Sequence, residues 1–389
     1  MKVALFTDYP RKGEAVSGGV AAVAVSLAWG LSRIGNMEVH VLTFDRACRS
    51  VLVERDKEIT VHRLPATRWP QILDIHFGPG RRRLTRYVRQ VSPDILHLHE
   101  TYGLTLHSLP LPHVFTVHGF DRETILVNHG RFARIRSALW GMVERRQLAK
   151  HQFIISISSY ARHKIESLTS AMIFDIENPI DPRFYHIQRE EEKGSILSVG
   201  RISEGKNALA TIRALAKITA EGVDAKLVVA GANDPPYFQR IVETIRQAGL
   251  GDKVQFLGCA GHDQLARELA RASILVLPSR QENAPMAIAE AMAAGVPVIS
   301  SNRCGMPFMI REGETGYLVE PDDVDGIAER MQLLLGDDGL RNAMGRAARR
   351  EAETRFHPDT VAKRTVEVYR HVVKSVFKGR GRGTSSNLV

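Results

Sequence analysis

The chain has 389 residues, 44% of them hydrophobic and 6% aromatic, and a formal charge of +10 at pH 7. That length exceeds one usual hydrophobic core and predicts two domains, while so few aromatics, with no stacking platform or zinc-finger spacing, argue against a nucleic-acid partner despite the charge. Three scattered cysteines, Cys48, Cys259 and Cys304, predict a reducing cytoplasm without a disulfide framework; no apolar stretch suits a signal-peptide core or approaches the ~18 residues of a membrane span.

Apolar runs alternate with helical segments along the whole chain. The first half offers strands at Val3 to Thr7, Glu38 to Thr43, Ile59 to Leu64, Ile95 to His99, Val114 to His118 and Phe153 to Ile157. The second offers Ser195 to Val199, Lys226 to Ala230, Val254 to Leu257, Ile274 to Leu277, Val298 to Ser300 and Gly316 to Val319. Such alternation predicts two parallel, doubly wound sheets covered by helices on both faces. Between the halves, ENPIDPRFYHIQREEEKG carries prolines and charges without periodicity and reads as a linker over 178–193; GRGRGTSSNLV, 379–389, reads as a flexible tail.

The first chemical signal is Ser17-Gly18-Gly19-Val20, a glycine pair that follows the first strand and opens a helix. There backbone N–H groups can approach a phosphate or a sugar, although a plain turn is the alternative and the dinucleotide fingerprint is absent. His97 and His99 share a strand face beside Glu100, but no further ligand has fitting spacing, so a metal site is not expected. His118 ends the strand VFTVH.

Arginines cluster at 81, 82, 83, 86 and 89, and again at 131, 134, 136, 145 and 146 around Ile135, Leu139, Trp140 and Val143. The second cluster suits a helix lying on an anionic membrane surface, and equally a solvated basic face. Arg201 follows the strand SILSVG and Lys206 opens the next helix, two cations where an open sheet ends. Glu282 lies in the exit loop of the strand Ile274 to Leu277, and Glu290 on a helix expected from Pro285 to Ala294. A helical count puts the two carboxylates within ~80° of one face; two solvated acids are the alternative.

The run from Glu282 through Glu290 to AMAAGVPVI resembles the donor-binding signature of glycosyltransferase family four, the large retaining family with the GT-B fold. The resemblance implies two Rossmann-like domains facing across a cleft, 1–185 on the acceptor side with a crossover helix 358–376, and 186–357 binding the nucleotide sugar. It implies that Glu282 holds the transferred sugar, with Asn283, Ala284, Pro285 and Met286 standing where many members have Gly-Phe-Gly. Glu290 would take the ribose, Arg201 and Lys206 the diphosphate, Gly18 and Gly19 the space between phosphate and acceptor, and His118 the reacting sugar. Asn178 and Asp181 resemble the element that links the domains.

The expected activity is a retaining hexosyl transfer from a UDP- or GDP-linked donor to a glycan or lipid-linked acceptor, without a metal cofactor. Its setting would be cell-envelope or extracellular polysaccharide synthesis at the inner face of the plasma membrane. Two other readings are kept: a nucleotide-sugar epimerase of the same fold, which needs extra cleft carboxylates and no acceptor, and a catalytically silent nucleotide-sugar-binding subunit.

Overall fold

Twelve of the fourteen strands were expected from apolar runs, and they assemble into two sheets. The structure, a computed structural model, describes all residues except 15, 17, 68–73, 75–78, 100–102, 105, 108, 110, 129–131 and 383–389, with the backbone alone at 378–382. Strands β1 (Lys2–Phe6), β2 (Glu38–Asp45), β3 (Leu52–Asp56), β4 (Ile59–Pro65), β5 (Ile95–Leu98), β6 (His113–Val117), β7 (Phe153–Ser156) and β8 (Met172–Asp175) form one sheet in the order β3-β4-β2-β1-β5-β6-β7-β8. Strands β9 (Ser195–Val199), β10 (Lys226–Ala230), β11 (Val254–Gly258), β12 (Ile274–Leu277), β13 (Val298–Ser301) and β14 (Gly316–Val319) form the other, in the order β11-β10-β9-β12-β13-β14.

All pairings are parallel except that of β3 with β4. The two strands the sequence did not announce, β3 and β8, both lie at sheet edges. Edge strands need no continuous buried run, and Leu52, Val53 and Met172 are indeed exposed. The central strands are buried along nearly their whole length because helices cover both faces.

The helices among the described residues are α1 (Gly19–Ser32), α2 (Pro79–Val91), α3 (Asp121–Val127), α4 (Ala133–Leu148), α5 (Ser159–Ile165), α6 (Ala208–Ala220), α7 (Pro235–Gln247), α8 (His262–Arg271), α9 (Met286–Ala293), α10 (Val324–Gly336), α11 (Asp338–Arg355) and α12 (Pro358–Arg382). None is long and apolar enough to cross a membrane among the described residues.

Two units result. Unit 1 takes its described residues from Met1–His118, Met142–Pro179 and Pro358 onward; unit 2 takes them from Gly119–Gly141 and Ile180–His357. Helix α12 belongs to unit 1, where α1 presses so close that a Cβ on Gly30 would stand 2.5 Å from the Pro358 carbonyl oxygen.

Two expectations change here. The stretch 178–193 is not a bare linker, because Pro182–His186 forms a 3-10 turn whose Phe184 and Tyr185 are buried in the core of unit 2. Two aromatics in a charged stretch gave no periodicity, yet burying each contributes about 2 kcal/mol. Helix α12 also runs on to Arg382, into the expected tail, whose remaining residues 383–389 lie outside the described ones.

Candidate functional site

In unit 2 the strand order reverses between β9 and β12, which are neighbours although β10 and β11 intervene in sequence. Ligands of open α/β sheets bind outside the carboxyl ends of strands at such a point. The β9 exit carries Gly200, Arg201 and the loop to Lys206, and the β12 exit carries Arg280 to Met286.

The two loops are tied together. Arg280 N donates to Gly205 O at 2.8 Å, and the Arg280 guanidinium donates to Glu204 O and reaches Asp322. Gly231 lets the β10 exit close up, since a Cβ there would lie 1.9 Å from Gly200 O. Gly200 in turn packs against the Lys206 stem, its Cβ position 3.5 Å from Lys206 Cδ.

Lys206 and Glu282 form an ion pair, Nζ against Oε1, with side chains only 28% and 17% exposed. Burial, then the neighbouring Arg201 guanidinium, push the Lys206 ammonium down to about 8. The Glu282 carboxylate acts the other way, and at contact we take it to keep the ammonium charged. Arg201 is exposed. Both cations thus stand at the carboxyl end of β9, and one of them already holds a carboxylate.

The helical count that joined Glu282 to Glu290 does not survive. Helix α9 starts at Met286 with Pro285 as its N-cap, so Glu282 lies in the preceding loop and has no helical phase. The two acids occupy different surroundings instead. Glu282 faces Lys206, while Glu290 is only 5% exposed on the buried side of α9. Burial pushes the Glu290 carboxyl up to about 7; His262 opposes this and the negative Asp181 adds to it.

Asp181 itself is held at about 2: burial raises it, but bonds from His262, the Arg183 backbone and the Arg183 guanidinium outweigh that. Its carboxylate also caps the 182–186 turn.

The loop after Glu282 is fixed from below. Asn283 is buried, and Ala284 and Met286 pack on the apolar core of unit 2. Gly305 N donates to Glu282 O at 2.9 Å, and a methyl at Gly305 would stand 1.7 Å from Asn283 O. Cys304 Sγ–H donates to Gln281 Oε1 at 2.8 Å, and Gln281 Nε2 donates to Glu123 Oε2 at 2.7 Å.

Gly305, Arg280 and this relay went unseen in the sequence. A glycine in a polar loop and an arginine among charges carry no periodic signal; Gly305 is needed for a close approach only the fold reveals. Gly305→Ala is therefore expected to displace the 282–286 loop, costing about 1–3 kcal/mol of stability and raising the donor KM about tenfold. Thermal unfolding and donor kinetics check this; unchanged values would show that the loop is not held there.

In unit 1 the order reverses between β1 and β5. Gly18 is the N-cap of α1 with φ 90°, a conformation that favours glycine, and Gly18 and Gly19 are both exposed at the helix start. Ser17 of that motif lies outside the described residues.

His97 and His99 do share a face, their ring centroids 4.1 Å apart. His97 bonds Tyr369 OH at 2.7 Å and Thr116 Oγ1 at 2.6 Å, and His99 Nδ1 lies 2.9 Å from His118 Nε2. Burial lowers His97 to about 3, with His118 adding to it; burial alone lowers His118 to about 4. These imidazoles are neutral near pH 7 and serve as dipolar donors and acceptors rather than as acids. A cavity of about 20 Å³ is bounded by His97, His99, His118, Glu177 and Asn178. Glu100 lies outside the described residues, and among those described no group of three or more His, Cys, Asp or Glu could hold a metal ion.

Two families match. Residues 17–184 match the family described as Glycosyltransferase Family 4, and residues 183–351 the one described as Glycosyl transferases group 1. The chain is 31% identical over 215 residues to the N-acetyl-alpha-D-glucosaminyl L-malate synthase of Bacillus anthracis, covering 53% of this chain and 55% of that protein. It is 27% identical to an uncharacterized glycosyltransferase of Methanocaldococcus jannaschii, covering 95% and 98%.

Among solved structures, the sucrose-phosphate synthase of Thermosynechococcus elongatus superposes with a TM-score of 0.81 at 20% identity, over 96% of this chain and 99% of that one. Anabaena HepE in complex with UDP-glucose gives 0.73 at 17%, over 95% and 100%. At these identities the likeness speaks for the fold: two Rossmann-like parallel-sheet domains with helices, as in GT-B proteins.

Proposed function

Because this chain belongs to the group 1 glycosyltransferases of family 4, we propose that it moves a hexosyl unit, with retention, from a UDP- or GDP-linked donor to a glycan or lipid-linked acceptor of cell-envelope or extracellular polysaccharide synthesis. The observation that carries this reading is the set of charges at the β9/β12 reversal: Arg201 exposed, Lys206 paired with Glu282, and Glu290 buried on the following helix. A diphosphate brings negative charge that two cations can neutralise, and its departure builds more charge for them to stabilise. The proposal therefore assigns Arg201 and Lys206 to the diphosphate and includes no metal.

Glu282, with Asn283 to Met286, holds the hydroxyls of the transferred sugar, and Glu290 accepts from the ribose hydroxyls. A carboxylate already neutralised by Lys206 is a poor nucleophile, which favours a positioning role over a covalent one. In the proposed step the bond from the anomeric carbon to the phosphate oxygen breaks and the acceptor oxygen attacks from the same face. The acceptor proton passes to the departing phosphate. His118 is neutral and orients the sugar; Gly18 and Gly19 offer backbone N–H groups at the start of α1.

The UDP-glucose held by HepE and the glucosaminyl group in the name of the B. anthracis protein support a hexose on a nucleotide carrier. Free thiols at Cys48, Cys259 and Cys304 support a reducing compartment, the cytoplasm.

A panel of UDP-, GDP- and ADP-sugars, followed for nucleotide release and for sugar isomers, tests the reading. Acceptor-dependent nucleotide release is expected. Isomer formation without acceptor would make the protein an epimerase, and binding without turnover of any donor a silent subunit.

A further inference from the structure

Helix α4 carries apolar side chains on its exposed side. Ser137, Glu144, Gln147 and Leu148 are buried and mark its inner side. Ile135, Leu139, Met142 and Val143 are 60%, 54%, 51% and 36% exposed, and Phe132, just before the first turn, is 64% exposed. At ~100° per residue, Ile135, Leu139, Met142 and Val143 fall within one arc of ~100°, a stripe on the outer side of a single continuous helix. Soluble chains seldom show so much contiguous apolar surface without a use for it.

Charge indicates what covers the stripe. Arg134, Arg136, Arg145 and Arg146 are all exposed along α4, and its one acid, Glu144, is buried. Apolar residues in one arc, Arg134, Arg136 and Arg145 beside it, Arg146 within it in the last turn, and no exposed acid on the helix match a surface that is anionic outside and apolar beneath.

We propose that α4 docks this protein on an anionic lipid bilayer, with Phe132, Ile135, Leu139 and Met142 entering the interface and the arginines meeting the headgroups. The inference rests on α4 alone and does not depend on the donor site: a chain that turns over no nucleotide sugar but binds vesicles through α4 would leave it standing.

Sedimentation of the full chain with vesicles of phosphatidylglycerol and phosphatidylcholine, against vesicles of phosphatidylcholine alone, tests it. Binding to the anionic vesicles is expected, weakened at least about tenfold by Ile135→Ser with Leu139→Ser, and weakened again when salt rises from about 0.1 to about 0.5 M. Arg134→Glu with Arg136→Glu should weaken it comparably while leaving every apolar contact in place, which covers the case in which the first variant folds poorly. Thermal unfolding and nucleotide release from soluble donor should be unchanged in the charge variant. No binding at low salt, or binding indifferent to both variants, would overturn the proposal. So would a dimer in solution that the serine variant dissociates, because the stripe would then belong to a second copy.

Discussion

Replacing Lys206 by methionine is expected to slow sugar transfer about a hundred- to a thousandfold, the usual cost of removing one charge that stabilises a developing anion in a shielded site. The effect is large because Lys206 has two partners in the proposed cycle. Before the donor arrives it neutralises Glu282; afterwards it faces the diphosphate. Methionine keeps the length and apolar stem that pack against Gly200 but leaves Glu282 without its cation.

Two further measurements separate these duties. If the ammonium serves the diphosphate, Lys206→Met also weakens inhibition by the free nucleoside diphosphate, whereas Glu282→Gln leaves that inhibition intact and slows turnover of the whole donor. If both variants bind the free nucleotide like the parent, Lys206 serves only to hold Glu282. The two substitutions will not add, because each removes a partner of the other.

Glu290→Gln is expected to stabilise the protein above pH 7 while weakening nucleotide binding. The folded state holds the Glu290 carboxyl at about 7 against an ordinary 4.5, because burial disfavours its ionised form. The raised folded value gives the sign: the protonated group favours the fold below about pH 4.5, and that contribution is lost as pH climbs through about 7. At pH 8 the wild type has forfeited up to about 3–4 kcal/mol, two and a half pH units at about 1.4 each, which the glutamine never loses.

Thermal unfolding at about pH 4.5 and about pH 8 checks this: the variant should melt higher only at the upper pH. Ribose hydroxyls donating to the carboxylate favour its ionised form, so wild-type nucleotide affinity should rise as pH passes through about 7. The variant should bind about tenfold more weakly and lose that dependence. A variant that binds nucleotide like the wild type, with the same pH profile, would remove Glu290 from the site.

The sheets were legible because buried parallel strands must be continuously apolar, as the runs Val3 to Phe6 and Ile274 to Leu277 are. What escaped was held together by single contacts rather than by pattern. β3 and β8 are edges with exposed side chains, and Phe184 and Tyr185 sink into a core from a stretch rich in charge.

At the candidate site, the positions of Arg201, Lys206, Glu282 and Glu290 at or after strand ends could be read from the chain. Their partners could not. That Lys206 would meet Glu282 depends on β9 and β12 becoming neighbours across 74 positions of sequence, from Ser195 to Ile274 at their starts less the five of β9 itself, which no local periodicity encodes. The shared helical face expected for Glu282 and Glu290 failed for a local reason, Pro285, which caps α9 and leaves Glu282 outside it.

A crystal structure of the protein with a bound nucleoside diphosphate tests whether the β9/β12 reversal of unit 2 is the donor site. The diphosphate is predicted to lie against Lys206 and Arg201, with the ribose hydroxyls on the Glu290 carboxylate. A nucleotide seated elsewhere, with the Lys206 to Glu282 pair untouched, would contradict it.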